Sequence, residues 1–192
     1  MSAPSPLRTP TALRRIYRGL APFYDHMVPL VSSRPRRTGC EWVQVQDGEQ
    51  VLDVGTGTGL ALRRLVAANP SGWTEGLDAS PAMLTHARRR LRTCPHRRYG
   101  LRVGDATALP LRDDAVDGVV FDAPYGRQSK IEGDLDGLVA DALAEAHRVA
   151  SRAVVVGDRS WAATAEAAGW TVKATFERRV HRSLVRYIAV LL

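Results

Sequence analysis

Nine consecutive residues, Val-Leu-Asp-Val-Gly-Thr-Gly-Thr-Gly at positions 51–59, constrain this chain more than any other part of it. Apolar residues that read as a buried strand run through Asp53 into glycines at 55, 57 and 59. Glycine lacks a Cβ and accepts positive φ, so such a run lets the backbone turn sharply and lets a ligand lie against it. The dinucleotide fingerprint has the same strand and the same logic, but it requires a glycine three positions after its second. That position is Leu60 here, and the spacing is G-x-G-x-G.

Beyond Gly48 short apolar runs alternate with amphipathic stretches, the pattern of a parallel sheet with crossover helices. Strands are expected at 50–54, 73–78, 99–103, 116–122 and 153–157, with helices near 59–68, 81–92, 134–149 and 161–168. Ser80-Pro81 is a helix start, because serine caps free amides and proline fits the first turn. After Gly169 the runs 170–176 and 183–191 have no helix between them and should pair as an antiparallel hairpin at one side of the sheet. Ahead of the sheet, Leu13, Ile16, Tyr17 and Leu20 have helical spacing, Ala21-Pro22 interrupts it, and 23–30 and 35–45 can form two more helices. The expected organisation is a flexible tail at 1–10 and one α/β domain at 11–192, with a helical cap (11–47) on a Rossmann-like core (48–192). A chain of 192 residues suits one such domain.

Composition narrows the function classes. No apolar run approaches the ~18 residues needed to span a bilayer, and no apolar signal region opens the chain, which points to a cytoplasmic protein without a membrane partner. Cys40 and Cys94 form no close pair and the five histidines are scattered, so no metal site is expected. The formal charge is +7, concentrated at +6 in residues 1–40, +7 in 86–104 and +4 in 170–192, which leaves the rest of the chain acidic. Arginine supplies 25 of the 27 cationic groups and is the better bidentate phosphate ligand.

The loop at 55–59 and the strand ends that follow it resemble the first motifs of class I S-adenosylmethionine-dependent methyltransferases. The resemblance implies a seven-stranded sheet of five parallel βα units and a terminal antiparallel hairpin, with helices on both faces. It also implies S-adenosyl-L-methionine as cofactor, held by Asp53, Gly55, Thr56, Gly57 and Gly59. Asp78, about 20 residues after the loop, would accept the ribose hydroxyls. Asp105 and Ala106 would meet the adenine edge, and Ala79 and Met83 would flank its ring.

The fourth strand ends in Asp122-Ala-Pro-Tyr-Gly126, which resembles the [D/N]-P-P-[Y/F/W] motif of amino-methyltransferases. Asp122, also a cofactor-binding candidate, and the Ala123 carbonyl would orient a poorly nucleophilic amine. Pro124 would hold the turn and Tyr125 would stack on a base. Alanine at 123, where the motif has proline, reduces the rigidity of the turn. Residues 122–133 and the stretch from Arg179 closely resemble the catalytic domain of tRNA guanine-N2 methyltransferases of the guanosine-10 type. The Ile16–Pro29 stretch instead resembles the cap of small-molecule and quinone methyltransferases, in which Tyr24 and Asp25 close over the cofactor. It takes the place of an RNA-binding domain.

The first expectation is therefore methylation of a nucleobase exocyclic nitrogen, guanine N2 in tRNA or another structured RNA. Arg34, Arg36, Arg37, Arg127, Lys130, Arg178, Arg179 and Arg182 would form a basic rim for its phosphates. One alternative is a small aromatic or apolar acceptor, and another is a non-catalytic cofactor-binding subunit of an RNA-modifying complex. The oligomeric state is open between monomer and homodimer. The arginines at 88–98 are expected to complement a helix C-terminus, away from the chemistry.

Overall fold

The computed structural model describes residues 44–124, 134–181 and 184–192. Strand and helix alternate there as β1 (Gln50–Val54), α1 (Leu60–Ala68), β2 (Trp73–Asp78), α2 (Pro81–Leu91), β3 (Tyr99–Val103), β4 (Gly118–Asp122), α3 (Leu135–Val149), β5 (Ala153–Gly157), α4 (Ala162–Ala167), β6 (Val172–His181) and β7 (Leu184–Leu191). All seven strands join one sheet in the order β3-β2-β1-β4-β5-β7-β6. The first five are parallel, and β7 runs against both β5 and β6. This is the expected Rossmann-like sheet.

The central strands carry apolar side chains on both faces, as parallel strands covered by helices must. Leu52, Val54, Val119, Phe121 and Val155 pack with Val139, Leu143 and Ala146 of α3 on one face. Val51, Val120, Val154, Val156 and Ile188 pack with Leu65 of α1 on the other. In α3 the buried residues Val139, Ala142, Leu143, Ala146 and Val149 recur at helical spacing. Asp134 caps this helix by accepting from Gly137 N at 3.0 Å. Ser80 does the same for α2 through Met83 N, with Pro81 in the first turn. Trp170, buried ahead of β6, donates its indole N–H to Leu143 O at 2.9 Å and takes the edge of His147.

Three expectations need correction. The link from β3 to β4 contains no helix, so the five βα units that the resemblance implied are four, carried by the four helices expected from the sequence. Residues 104–117 are turn-rich and include Asp114 at φ 51°, and α3 pins them by side chains. Arg148 donates to Leu109 O, Leu111 O and Asp113, while Glu145 accepts from Leu109 N. The Arg148 hydrogen bond holds the Glu145 carboxyl below its usual range. Second, β4 begins at Gly118 and not at 116, since Val116 makes only an isolated bridge to Ala150. Third, Arg178, Arg179 and His181 were expected in a hairpin turn and instead lie within β6. Backbone pairing with β7 sustains the strand through this polar run.

The hairpin also overhangs its neighbour. The β5–β7 ladder ends at Gly157–Tyr187, whereas β6 and β7 continue through Arg178–Arg186 and Arg179–Val185. Arg178 and Arg179 are exposed on this extension, beyond the carboxyl end of β5. Of the expected cap at 11–47, residues 11–43 lie outside the described residues. Among the described residues no helix is long and apolar enough to cross a membrane.

Candidate cofactor and acceptor site

Open α/β sheets bind ligands beyond the carboxyl ends of their strands. Here β1, β2, β3 and β4 bring four such ends together. The register fixes them: Val54 pairs with Leu77 and with Phe121, and Asp78 pairs with Val103.

The glycine loop leaves β1 in left-handed backbone, with φ of 72° at Gly55, 55° at Gly57 and 78° at Gly59. Its amides are largely spoken for. Gly55 N and Thr56 N both donate to Leu77 O at 2.8 and 3.0 Å, and Gly57 N donates to Asp78 Oδ2 at 2.8 Å. The buried Asp53 carboxylate braces the loop from inside by accepting from Thr56 Oγ1 at 2.5 Å. The three glycines do different work. A Cβ on Gly55 would make only an ordinary contact with Asp122 O at 3.4 Å, so glycine is favoured there by the left-handed backbone and not by crowding. A Cβ on Gly57 would meet nothing nearer than Gly55 O at 3.9 Å, which is the open face a ligand needs. A Cβ on Gly59 would lie 3.0 Å from Ala87 Cβ and 3.1 Å from Ala87 Cα. Gly59 therefore serves the crossing of the loop over α2.

Asp78 is the polar centre of the site. Its Oδ1 accepts from Ser80 N at 2.8 Å while Oδ2 takes Gly57 N, so one carboxylate ties the glycine loop to the start of α2. Burial pushes its carboxyl above the usual carboxylate value, against these two hydrogen bonds. A desolvated carboxylate with backbone donors already in place suits a ribose diol, whose hydroxyls supply the remaining hydrogen bonds. Gly104 N donates to Asp78 O at 3.2 Å and brings Asp105 alongside. Asp105 is buried and forms an Asx turn, its Oδ1 accepting from Thr107 N at 3.0 Å and Thr107 Oγ1 at 2.9 Å. Ala79 is half-buried beside Asp78, Met83 is buried in the first turn of α2, and Ala106 packs against the core.

Asp122 closes β4 half-buried, and Ala123 is fully buried behind it. Ala123 N donates to Val156 O at 2.8 Å, extending the β4–β5 contact by one bond. Proline has no N–H and could not make it. Pro124 follows, half-buried. Of the remaining candidates, Tyr24, Arg34, Arg36, Arg37, Tyr125, Arg127, Lys130 and Arg182 lie outside the described residues. No cluster of three metal-ligating side chains occurs among the described residues.

The sequence reading missed Arg90, assigning it with its neighbours to the helix end. Arg90 NH1 in fact reaches back to the glycine loop and donates to Thr58 O and to Thr58 Oγ1, the latter at 2.8 Å. Ala87 and Arg90 stand three apart on one helical face, and that spacing was the available signal. Charge-assisted hydrogen bonds of this kind are worth about 1.5–3 kcal/mol. Arg90→Met, which keeps the aliphatic stem, is expected to weaken S-adenosylhomocysteine binding about tenfold by titration calorimetry. Arg88→Met, in the same last turn, is the control and should leave it unchanged.

Comparison with known proteins agrees with this geometry. Residues 51–132 match the methyltransferase-domain family. A demethylmenaquinone methyltransferase of Tropheryma whipplei is 32% identical over 127 residues, covering 64% of this chain and 51% of that protein. A ubiquinone/menaquinone biosynthesis C-methyltransferase of Paracoccus denitrificans is 30% identical over 139 residues, covering 70% and 52%. The chain spans about half the length of these curated relatives. The magnesium protoporphyrin IX methyltransferase of Synechocystis PCC 6803, solved with bound S-adenosylmethionine, shares the fold with a TM-score of 0.76 at 12% identity, covering 98% of this chain and 99% of its own. The open face at Gly57, the desolvated Asp78 and the strand ends in register fit the same cofactor. The sheet and the glycine loop give this chain the fold of the class I S-adenosylmethionine-dependent methyltransferases, and residues 51–132 carry the match to the methyltransferase-domain family.

Proposed function

We propose that the chain transfers the methyl group of S-adenosylmethionine to a small aromatic acceptor of the quinol type. The observation that carries this reading is what the relatives do: two methyltransferases of quinone biosynthesis align with 64% and 70% of the chain. The acceptor end of the sheet supports it. Where the amino-methyltransferase motif has proline, Ala123 donates its N–H to Val156 O. The turn that would present a nucleobase amine thus starts from a strand end of different construction. The small-molecule alternative moves ahead of guanine N2 on both counts.

S-adenosylmethionine, when bound, supplies an electrophilic methyl on a sulfonium. The chain must hold an electron-rich ring atom in line with it and exclude competing geometries, an effect that reaches ~7–11 kcal/mol in favourable cases. Asp122, beside the glycine loop at the end of β4, would accept a hydrogen bond or the proton of an acceptor hydroxyl. That raises the electron density of the ring it belongs to. Asp78 and Asp53 would act on the cofactor side, by holding the ribose and the loop.

Structured RNA is kept as the second reading by Arg178 and Arg179, exposed on the overhanging hairpin at the same end of the sheet. One assay separates the two. Methyl transfer from labelled S-adenosylmethionine is measured to a chemically reduced demethylnaphthoquinone and, in parallel, to total tRNA, with product identification by mass. We expect methylation of the quinol and none of the RNA. Methylated guanosine with an inert quinol would reverse the order.

A further inference from the structure

Of the buried side-chain polar atoms that lack a hydrogen-bond partner among the described residues, two stand three residues apart just past β5: Asp158 Oδ1 and Trp161 Nε1. Buried donors and acceptors are nearly always satisfied, so each calls for an explanation. Arg159 does not provide it. Its Nε is 3.7 Å from Asp158 Oδ1, beyond hydrogen-bond reach. Its NH1 turns to Asp136 Oδ1 at 3.2 Å, and its guanidinium lies 5.3 Å from the centre of the Trp161 ring. These contacts fix the turn that carries both atoms. Trp161 is 4% exposed, and a Cβ on Gly157 would lie 2.3 Å from its Nε1. Only glycine lets the indole N–H settle on the last residue of the strand.

The turn sits beside the acceptor end of the sheet. Asp122 pairs with Val156, and Ala123 bonds to Val156 O. Gly157 and Asp158 therefore leave the sheet next to Ala123 and Pro124. We propose that Asp158 and Trp161 form an acceptor-binding subsite, with the carboxylate accepting from one ring hydroxyl and the indole N–H donating to the second ring oxygen. One acceptor atom and one donor atom on the same short turn are the two kinds of polar group that the hydroxyl and oxygen of an aromatic diol require. The proposal rests on the small-aromatic reading above and adds the polar groups that would recognise it.

The test is calorimetric binding of 1,4-dihydroxynaphthalene, kept reduced with ascorbate, to the full chain saturated with S-adenosylhomocysteine. Asp158→Asn and Trp161→Phe should each weaken binding of the diol at least about tenfold, as expected for a lost buried hydrogen bond. Both should keep S-adenosylhomocysteine affinity within twofold, which also shows that they fold. Gly157→Ala, which keeps both polar groups and displaces the indole, should behave like Trp161→Phe. If the wild-type protein binds the diol and both variants bind it equally well, the subsite is overturned while the acceptor class stands. If the wild-type protein binds S-adenosylhomocysteine but no diol, the acceptor class fails and the subsite with it.

Discussion

Asp78→Ala is expected to weaken binding of S-adenosylhomocysteine at least about a hundredfold in titration calorimetry. A carboxylate that accepts two ribose hydroxyls makes charge-assisted bonds of about 1.5–3 kcal/mol each, so losing both reaches at least the ~3 kcal/mol that a hundredfold represents. The substitution also frees Gly57 N and Ser80 N, which Asp78 holds at 2.8 Å each, so the loop loses its tie to α2. Acidity adds a second readout. Burial raises the Asp78 pKa above its ordinary value of 3.8, and a raised carboxyl favours the folded state in its neutral form. Its contribution to the stability of the ligand-free protein is therefore present at low pH and lost as pH rises through the raised value. Ligand affinity should run the opposite way, falling on acidification through the same window because ribose hydroxyls need the carboxylate. Asp78→Ala should remove both dependences, and an unchanged affinity–pH profile would show that another group holds the ribose.

Gly59→Val should be the most damaging single change to the fold in the cofactor half of the sheet. Left-handed backbone costs a residue with a side chain roughly 1–2 kcal/mol, and forcing volume into a packed contact costs a further ~1–3 kcal/mol. A loss of about 2–5 kcal/mol is a large part of the ~5–15 kcal/mol that holds a domain together. Chemical denaturation measures it directly. The two contributions can be separated in part, because Ala87→Gly removes the 3.0 Å contact with Ala87 Cβ, though not the 3.1 Å one with its Cα, so in a double-mutant cycle it should recover some of the packing part of Gly59→Ala and none of the backbone part. Gly57→Ala is the contrasting case. With only Gly55 O near its missing Cβ, at 3.9 Å, it should cost only the backbone part, roughly 1–2 kcal/mol of stability, and show its main effect on cofactor affinity. Equal stability losses at 57 and 59 would mean that the division of labour between them is wrong.

The sheet was legible because its signals are local. Val51-Leu52, Val119-Val120-Phe121 and Val154-Val155-Val156 are buried on both faces, and continuous apolar runs betray such strands before any contact is known. The hairpin boundary was not legible, because Glu177, Arg178 and Arg179 have no apolar pattern and owe their extended conformation to backbone pairing with β7. The order of the helix-free link from β3 to β4 was not legible for a related reason: it comes from Glu145 and Arg148, more than 30 residues away in the chain. In the site, the glycine spacing and Asp78 could be read from order alone. Arg90 and the Asp158–Trp161 turn could not, since an arginine in a basic helix end and a tryptophan before a short helix acquire meaning only when folding places Thr58 and Gly157 against them.

The bracing of the glycine loop has a kinetic and entropic side. Three successive amides, at Gly55, Thr56 and Gly57, are bonded within the protein before any ligand arrives, and Arg90 grips the next residue from outside. Such amides exchange with solvent deuterium only when the loop opens, so they should be strongly protected in the ligand-free protein. A loop already in its bound shape leaves little ordering entropy to be lost on association. The free energy of cofactor binding then goes into contacts with the cofactor itself and not into shaping the loop.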